Sequence, residues 1–103
     1  MTWKDYEKKI FTFLKETYKD AEISYDQIIK GRYSKVNRQI DILIESYIAS
    51  KKIKLIVDGK YFNKRISVKT VESFISMVED VNAQQGILIT SKGFSKAAIN
   101  RAN

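Results

Sequence analysis

Two runs of alternating residues constrain this chain most. Arg38-Gln39-Ile40-Asp41-Ile42-Leu43-Ile44-Glu45 and Ile53-Lys54-Leu55-Ile56-Val57-Asp58-Gly59-Lys60 each interleave aliphatic residues with others, at the period of two that a strand requires. In the first run Ile40, Ile42 and Ile44 are expected on one face, and Gln39, Asp41, Leu43 and Glu45 on the other. In the second, Ile53, Leu55 and Val57 are expected to face the core, with Lys54, Ile56, Asp58 and Lys60 opposite. Laid antiparallel with Asp41 across from Asp58, the runs match Ile42 with Val57, Leu43 with Ile56, Ile44 with Leu55 and Glu45 with Lys54. Apolar then meets apolar and the outer pair is of opposite charge, which selects one register. The segment joining the runs carries no strong turn signature.

Other segments surround this pair. Over residues 3–18, Trp3, Tyr6, Ile10, Phe13 and Leu14 recur at helical spacing, and Thr2 with Asp5 resembles a capping box. Residues 21–30 read as a strand ending near Gly31, and residues 32–37 as a polar loop. Ser67 is placed to cap a helix through about residue 82, with Val68, Val71, Phe74, Ile75, Val78 and Val81 on its buried stripe. Residues 86–90 are an apolar strand of the kind covered on both faces. A turn at Lys92-Gly93-Phe94 follows, and Ser95 opens a last helix. The order α-β-β-β-α-β-α predicts an α/β fold, a mixed sheet of about four strands flanked by helices. At 103 residues without an internal repeat, residues 1–103 are expected to form a single domain.

Composition narrows the chemistry. With no Cys and no His, disulfides, thiol nucleophiles, imidazole bases and zinc sites built on either residue are excluded. Apolar runs stop at three residues, as in Leu55-Ile56-Val57, and Lys and Glu interrupt the N-terminal stretch. Neither a membrane span nor a signal peptide is expected, and the expected location is the cytoplasm. The formal net charge is +7, and most of the excess sits in one stretch. Residues 51–70 hold Lys51, Lys52, Lys54, Lys60, Lys64, Arg65 and Lys69 against a single acid, Asp58. Such a field attracts polyanions, nucleic acid above all; a solvated, solubilising hairpin is the plainer reading of the same charges.

The lone acid has informative neighbours. On a strand, Asp58 and Lys60 share a face about 7 Å apart, and Asp41 on the adjoining strand would lie about 5 Å across. Two carboxylates converging beside a lysine oppose each other's ionisation. A divalent cation such as Mg²⁺, which takes oxygen ligands and substrate phosphate, relieves that cost. It would also polarise a phosphoryl oxygen, while Lys60 could orient the attacking water or offset charge on phosphorus. The alternative is that Asp41 and Asp58 are ordinary polar positions on a half-exposed sheet.

From Arg38 onward the chain resembles the Mrr-like branch of the PD-(D/E)xK restriction endonuclease superfamily. The resemblance is carried by RQIDILIE (38–45), VDGK (57–60), ISVKTVESF (66–74) and GILITSKGFSKAAINRA (86–102). It implies a restriction-endonuclease-like three-layer core and a metal-dependent endodeoxyribonuclease of restriction, defence or repair type. By position, Asp41 and Asp58 would bind Mg²⁺, with Mn²⁺ able to substitute, and Lys60 would assist hydrolysis. Glu7 of the first helix matches the acid that often completes the metal site. Gln39 shares the predicted face and could touch phosphate. DNA is the implied partner, contacted by Lys51, Lys52, Lys54, Lys64, Arg65 and Lys69; a homodimer or a larger defence or repair assembly is a further expectation.

Two departures stand out. The branch usually reads Glu-Cys-Lys where this chain has Asp58-Gly59-Lys60: aspartate reaches one methylene less far, and Gly59 is expected to weaken a packed strand position. Such domains also typically continue past the final helix, so a fragment of a longer chain is one expectation. These features keep an alternative open, a catalytically degenerate nuclease-fold module that binds DNA or a partner protein without cleavage. Other signals are weaker. Ser91-Lys92 has no recognisable oxyanion hole beside it, and the four glycines form neither a P-loop nor a dinucleotide fingerprint. Tyr61 and Phe62 could stack on bases or simply pack together.

Overall fold

The computed structural model of the protein describes residues 2–60 and 64–102, without the side chains of Trp3 and Lys60. Tyr61 and Phe62 lie outside the described residues. The first helix, α1 (Trp3–Thr17), starts on a reciprocal cap. Asp5 N–H donates to the Thr2 hydroxyl and Thr2 N–H donates to the Asp5 carboxylate, each at 3.2 Å. There follow β1 (Glu22–Lys30), β2 (Asn37–Ile48), β3 (Lys51–Lys60), α2 (Val68–Asp80), β4 (Gln85–Thr90) and α3 (Lys96–Ala102). Ser67 caps α2, and Ser95 accepts from Ala98 N–H at 3.1 Å ahead of α3. The strands lie in the order β1-β2-β3-β4. The first three pair antiparallel, and α2 carries the chain across to set β4 parallel to β3.

The β2–β3 register is the expected one, from Ile42–Val57 to Glu45–Lys54, and continues to Ile48–Lys51. Only Ala49 and Ser50 remain for the turn, with φ of +52° and +67°. Two left-handed residues in a two-residue loop make a primed hairpin turn, normally built from Asn-Gly. Alanine and serine disguise it, so the strands are longer than the periodicity predicts. The ion pair also shifts: Glu45 meets Lys52 at 2.6 Å, while Lys54 Nζ donates to the Val81 carbonyl at the end of α2 (3.2 Å).

Helices cover both faces of the sheet, making three layers. Ile10 and Leu14 of α1 pack on Ile42, Ile44 and Val57, flanked by Ile23, Leu55, Ile87 and Ile89. On the other face Phe74 and Val81 pack on Ile40, Leu43 and Ile56. There Ile66, Val71 and Ala98 form an adjoining cluster joined through Leu88. Phe13, expected in the core, is 62% exposed, and Phe11 turns inward instead. Among the described residues no helix is long and apolar enough to cross a membrane.

One expectation about facing is overturned. Ile42 and Ile44 lie under α1, yet Ile40 joins the cluster under α2. The neighbouring strand changes in step, with Ile23 on the α1 side and Ile29 on the α2 side. Between them Asp26 adopts a left-handed backbone, φ +57°, opposite the stretch that contains Asp41. The pleat therefore reverses there without a change of register: the ladder skips one residue on each strand, between Tyr25–Ile42 and Gln27–Ile40.

Candidate active site

The β2–β3 ladder ends at Ile42–Val57, and Asp41 and Asp58 are the next residues on each strand. Asp41 lines a hollow of about 520 Å³ on the α1 side. Lys4, Glu7 and Lys8 enter it from α1, Tyr25 and Asp26 from β1, and Gln39 from β2. The pleat reversal brings Gln39 and Asp41 to this side while Leu43 packs under α2. The Tyr25 hydroxyl donates to Glu7 Oε2, and its ring meets Phe11 edge-on at 5.6 Å. That hydrogen bond, followed by burial and the charges of Glu7, Asp41 and Asp26, pushes the Tyr25 phenol up to about 12. Gln39 Nε2 donates to Asp26 Oδ1.

Asp58 lines a different and smaller hollow of about 220 Å³, with Arg38 and, from α2, Thr70, Ser73, Phe74 and Met77. Glu7, Asp41 and Gln39 are thus brought together, and Asp58 stands apart from them on the α2 side. Gly59 faces α1: a Cβ built there would lie 2.7 Å from Ile10 Cδ1 and 3.8 Å from Tyr6 Cε1. The expected weakness at Gly59 is compensated, because Ile10 occupies the space that a side chain would take.

The donor set is made of oxygen. Glu7, Asp26 and Asp41 carboxylates and the Gln39 amide line the larger hollow, which suits a hard divalent cation. Among the described residues no group of three or more carboxylates is close enough to form a closed metal cage. Mg²⁺ does not require one, since it is usually held by one or two carboxylates with substrate phosphate and water completing the octahedron. The residues present fit such an ion.

The basic stretch is not a single patch. Lys51 and Lys52 sit at the hairpin tip, whereas Lys64, Arg65 and Lys69 follow the opposite end of β3, about 30 Å away at 3.3 Å per residue. Lys52 is engaged by Glu45 and Lys54 by the α2 terminus. Ile66 bridges Phe94, so Lys64 and Arg65 adjoin the carboxyl ends of β3 and β4. Sequence reading missed two features. No periodicity marks Tyr25 as the partner of Glu7. Residues 27–40 contain Lys30, Arg32, Lys35 and Arg38 and no acid, a local excess that Glu22, Asp26, Asp41 and Glu45 cancel when the charge is summed over residues 21–50.

Comparison with known proteins agrees with this architecture. No curated protein matches the chain. Among solved structures, a crystal structure of a protein of unknown function, AF1548, superposes with a TM-score of 0.73 at 19% identity. The match covers 94% of this chain and 52% of that one, so this chain spans about half the length of that protein. A family profile described as restriction endonuclease, Mrr_cat, matches residues 1–103. The whole length of the chain thus belongs to the Mrr-type restriction endonuclease family, a family of nucleases.

Proposed function

We propose that this chain is a metal-dependent DNA endonuclease domain that hydrolyses phosphodiester bonds. The observation that supports this best is the end of the β2–β3 ladder, where Asp41 and Asp58 succeed the last paired residues and Lys60 follows two positions on. Glu7 and Asp41, which share the larger hollow, would hold Mg²⁺, or Mn²⁺ in its place, and Asp58 would complete the site by turning toward them from its own hollow across the end of the ladder. The ion supplies Lewis acidity at the scissile phosphate. Lys60 offsets the charge that builds on the phosphoryl oxygens and orients the attacking water. Gln39 donates to a phosphate oxygen, and Lys64, Arg65 and Lys69 draw the backbone toward this end of the sheet. Lys51, Lys52 and Lys54 lie too far along β3 to share that contact and would meet only an outlying stretch of DNA.

The separation of Asp41 and Asp58 into two hollows favours one other reading, a degenerate module that binds DNA without cutting it. Incubation of supercoiled plasmid with Mg²⁺, Mn²⁺ or EDTA separates the two. The nuclease reading expects nicked or linear product with metal, none in EDTA, and loss of product in Asp58→Ala and Lys60→Ala. Product that persists in both variants rejects the assignment. DNA binding with no product under any metal, unchanged or tighter in Asp58→Ala, establishes the binding module.

A further inference from the structure

The loop joining β1 to β2 is fixed from beneath by a buried carboxylate. Asp80, at the end of α2, is 5% exposed. Its Oδ1 accepts from the backbone N–H of Tyr33 at 2.9 Å and of Ser34 at 3.0 Å, and its Oδ2 accepts from the Ser34 hydroxyl. The Asp80 carbonyl accepts from Arg32 N–H at 2.7 Å, and Arg38 pairs with the carboxylate at 3.5 Å. Within the loop, Gly31 N–H donates to the Val36 carbonyl at 2.8 Å and Lys35 N–H to the Gly31 carbonyl at 3.1 Å. Gly31 leaves room for this arrangement: a Cβ there would stand 2.0 Å from Asp80 Oδ2.

The single acid that the loop engages is therefore turned inward, against Arg38. The loop turns basic and aromatic side chains outward, with Val36, 53% exposed, beside them. Tyr33 is 69% exposed, Lys30 and Lys35 are exposed, and the Arg32 guanidinium lies 4.6 Å over the Tyr33 ring. Arg32 Nε is itself held by the Glu79 carbonyl at 3.0 Å, so the stacked pair is anchored. An exposed ring backed by a cation, between two lysines, suits a sugar or base flanked by phosphates. From Asn37, where the loop ends, β2 runs four residues to Asp41, about 13 Å, or some four base pairs along a duplex.

We infer that the 31–36 loop, with Lys30 at the end of β1, is a preformed DNA contact beside the cleavage site, with Lys30 and Lys35 on phosphates and Tyr33 against a sugar or base. Asp80 acts as its positioning residue. The inference rests on the reading of the chain as a protein that acts on DNA. It is tested by fluorescence anisotropy of a labelled duplex in EDTA across a salt series, so that no cleavage intervenes. Lys35→Ala and Lys30→Ala should each reduce the salt slope by about 1. Tyr33→Ala should weaken binding roughly 5-fold or more. Both Tyr33 and Lys35 are exposed, so their variants should keep the wild-type melting temperature. Asp80→Asn should weaken DNA binding as well, and Tyr33→Phe should restore what Tyr33→Ala loses.

Wild-type affinity and salt slope in the Tyr33→Ala, Lys35→Ala double variant would overturn the inference while leaving the nuclease reading intact. A wild-type chain that neither binds nor cuts DNA would overturn both. If the double variant instead loses binding to poly-glutamate and keeps DNA binding, the loop serves an acidic protein partner and the inference falls.

Discussion

Ile10 of α1 stands where a side chain at Gly59 of β3 would be, with its Cδ1 2.7 Å from the position of a built Cβ. The residue between Asp58 and Lys60 is thus set by the helix that covers it. Gly59→Ala should destabilise by about 1 kcal/mol, overpacking outweighing the gain from replacing a strand glycine. Ile10→Val alone should cost about 0.5–1.5 kcal/mol. Because it removes Cδ1, the double variant should fall short of the sum by about 1 kcal/mol in urea unfolding. Strict additivity would show that the two positions do not compete for space.

The β2–β3 turn offers a gain in stability. Ala49 and Ser50 both hold positive φ, at roughly 1 kcal/mol or more apiece for residues with a Cβ. Replacing them by Asn-Gly supplies the residues that the turn type prefers. Denaturant midpoints should rise by an amount equivalent to about 1 kcal/mol. An unchanged or lowered midpoint would contradict the turn as described.

Asp80 makes stability depend on acidity. The Ser34 hydroxyl, then the Ser34 and Tyr33 N–H groups and the Arg38 charge, hold its carboxyl down to about 2, against 3.8 ordinarily. A depressed folded-state value means that the unfolded chain binds the proton first. This contribution is complete above about pH 4 and is lost as pH falls from there towards 2. Asp80→Asn should be less stable than wild type at pH 7, and the gap should close on acidification. A gap that stays constant between pH 6 and pH 2.5, followed by circular dichroism, would assign the acid sensitivity elsewhere.

Tyr25 links the first helix to the sheet beneath it by donating to Glu7. If Glu7 is a metal ligand, Tyr25 orients it, and residues of that kind typically change metal affinity 10- to 100-fold when removed. Tyr25→Phe should weaken Mn²⁺ binding about 10-fold by titration calorimetry, and should make little further difference in a Glu7→Gln background. Unaltered Mn²⁺ affinity in Tyr25→Phe, with binding lost in Asp41→Asn, would confine Tyr25 to holding α1 in place.

Much of this protein is written in local pattern. The helix caps at Thr2 and Ser67, the order of elements, and the pairing of Ile42 with Val57 through Glu45 with Lys54 all follow from residues that are neighbours in sequence or opposite in one hairpin. Period, cap chemistry and cross-strand matching act over that range. The tertiary structure decided the rest. It reversed the pleat beside Asp26 and Asp41, so that Ile40 and Ile42 face opposite layers. It divided the basic stretch between the two ends of β3, filled the space at Gly59 with Ile10, and placed Asp80 beneath a loop more than forty residues earlier in the chain. The negative charge of Asp80 reads in sequence as one more acid at a helix end. Only burial against the N–H groups of Tyr33 and Ser34 makes it an anchor, because the value of a buried charge is set by partners that folding alone brings within reach.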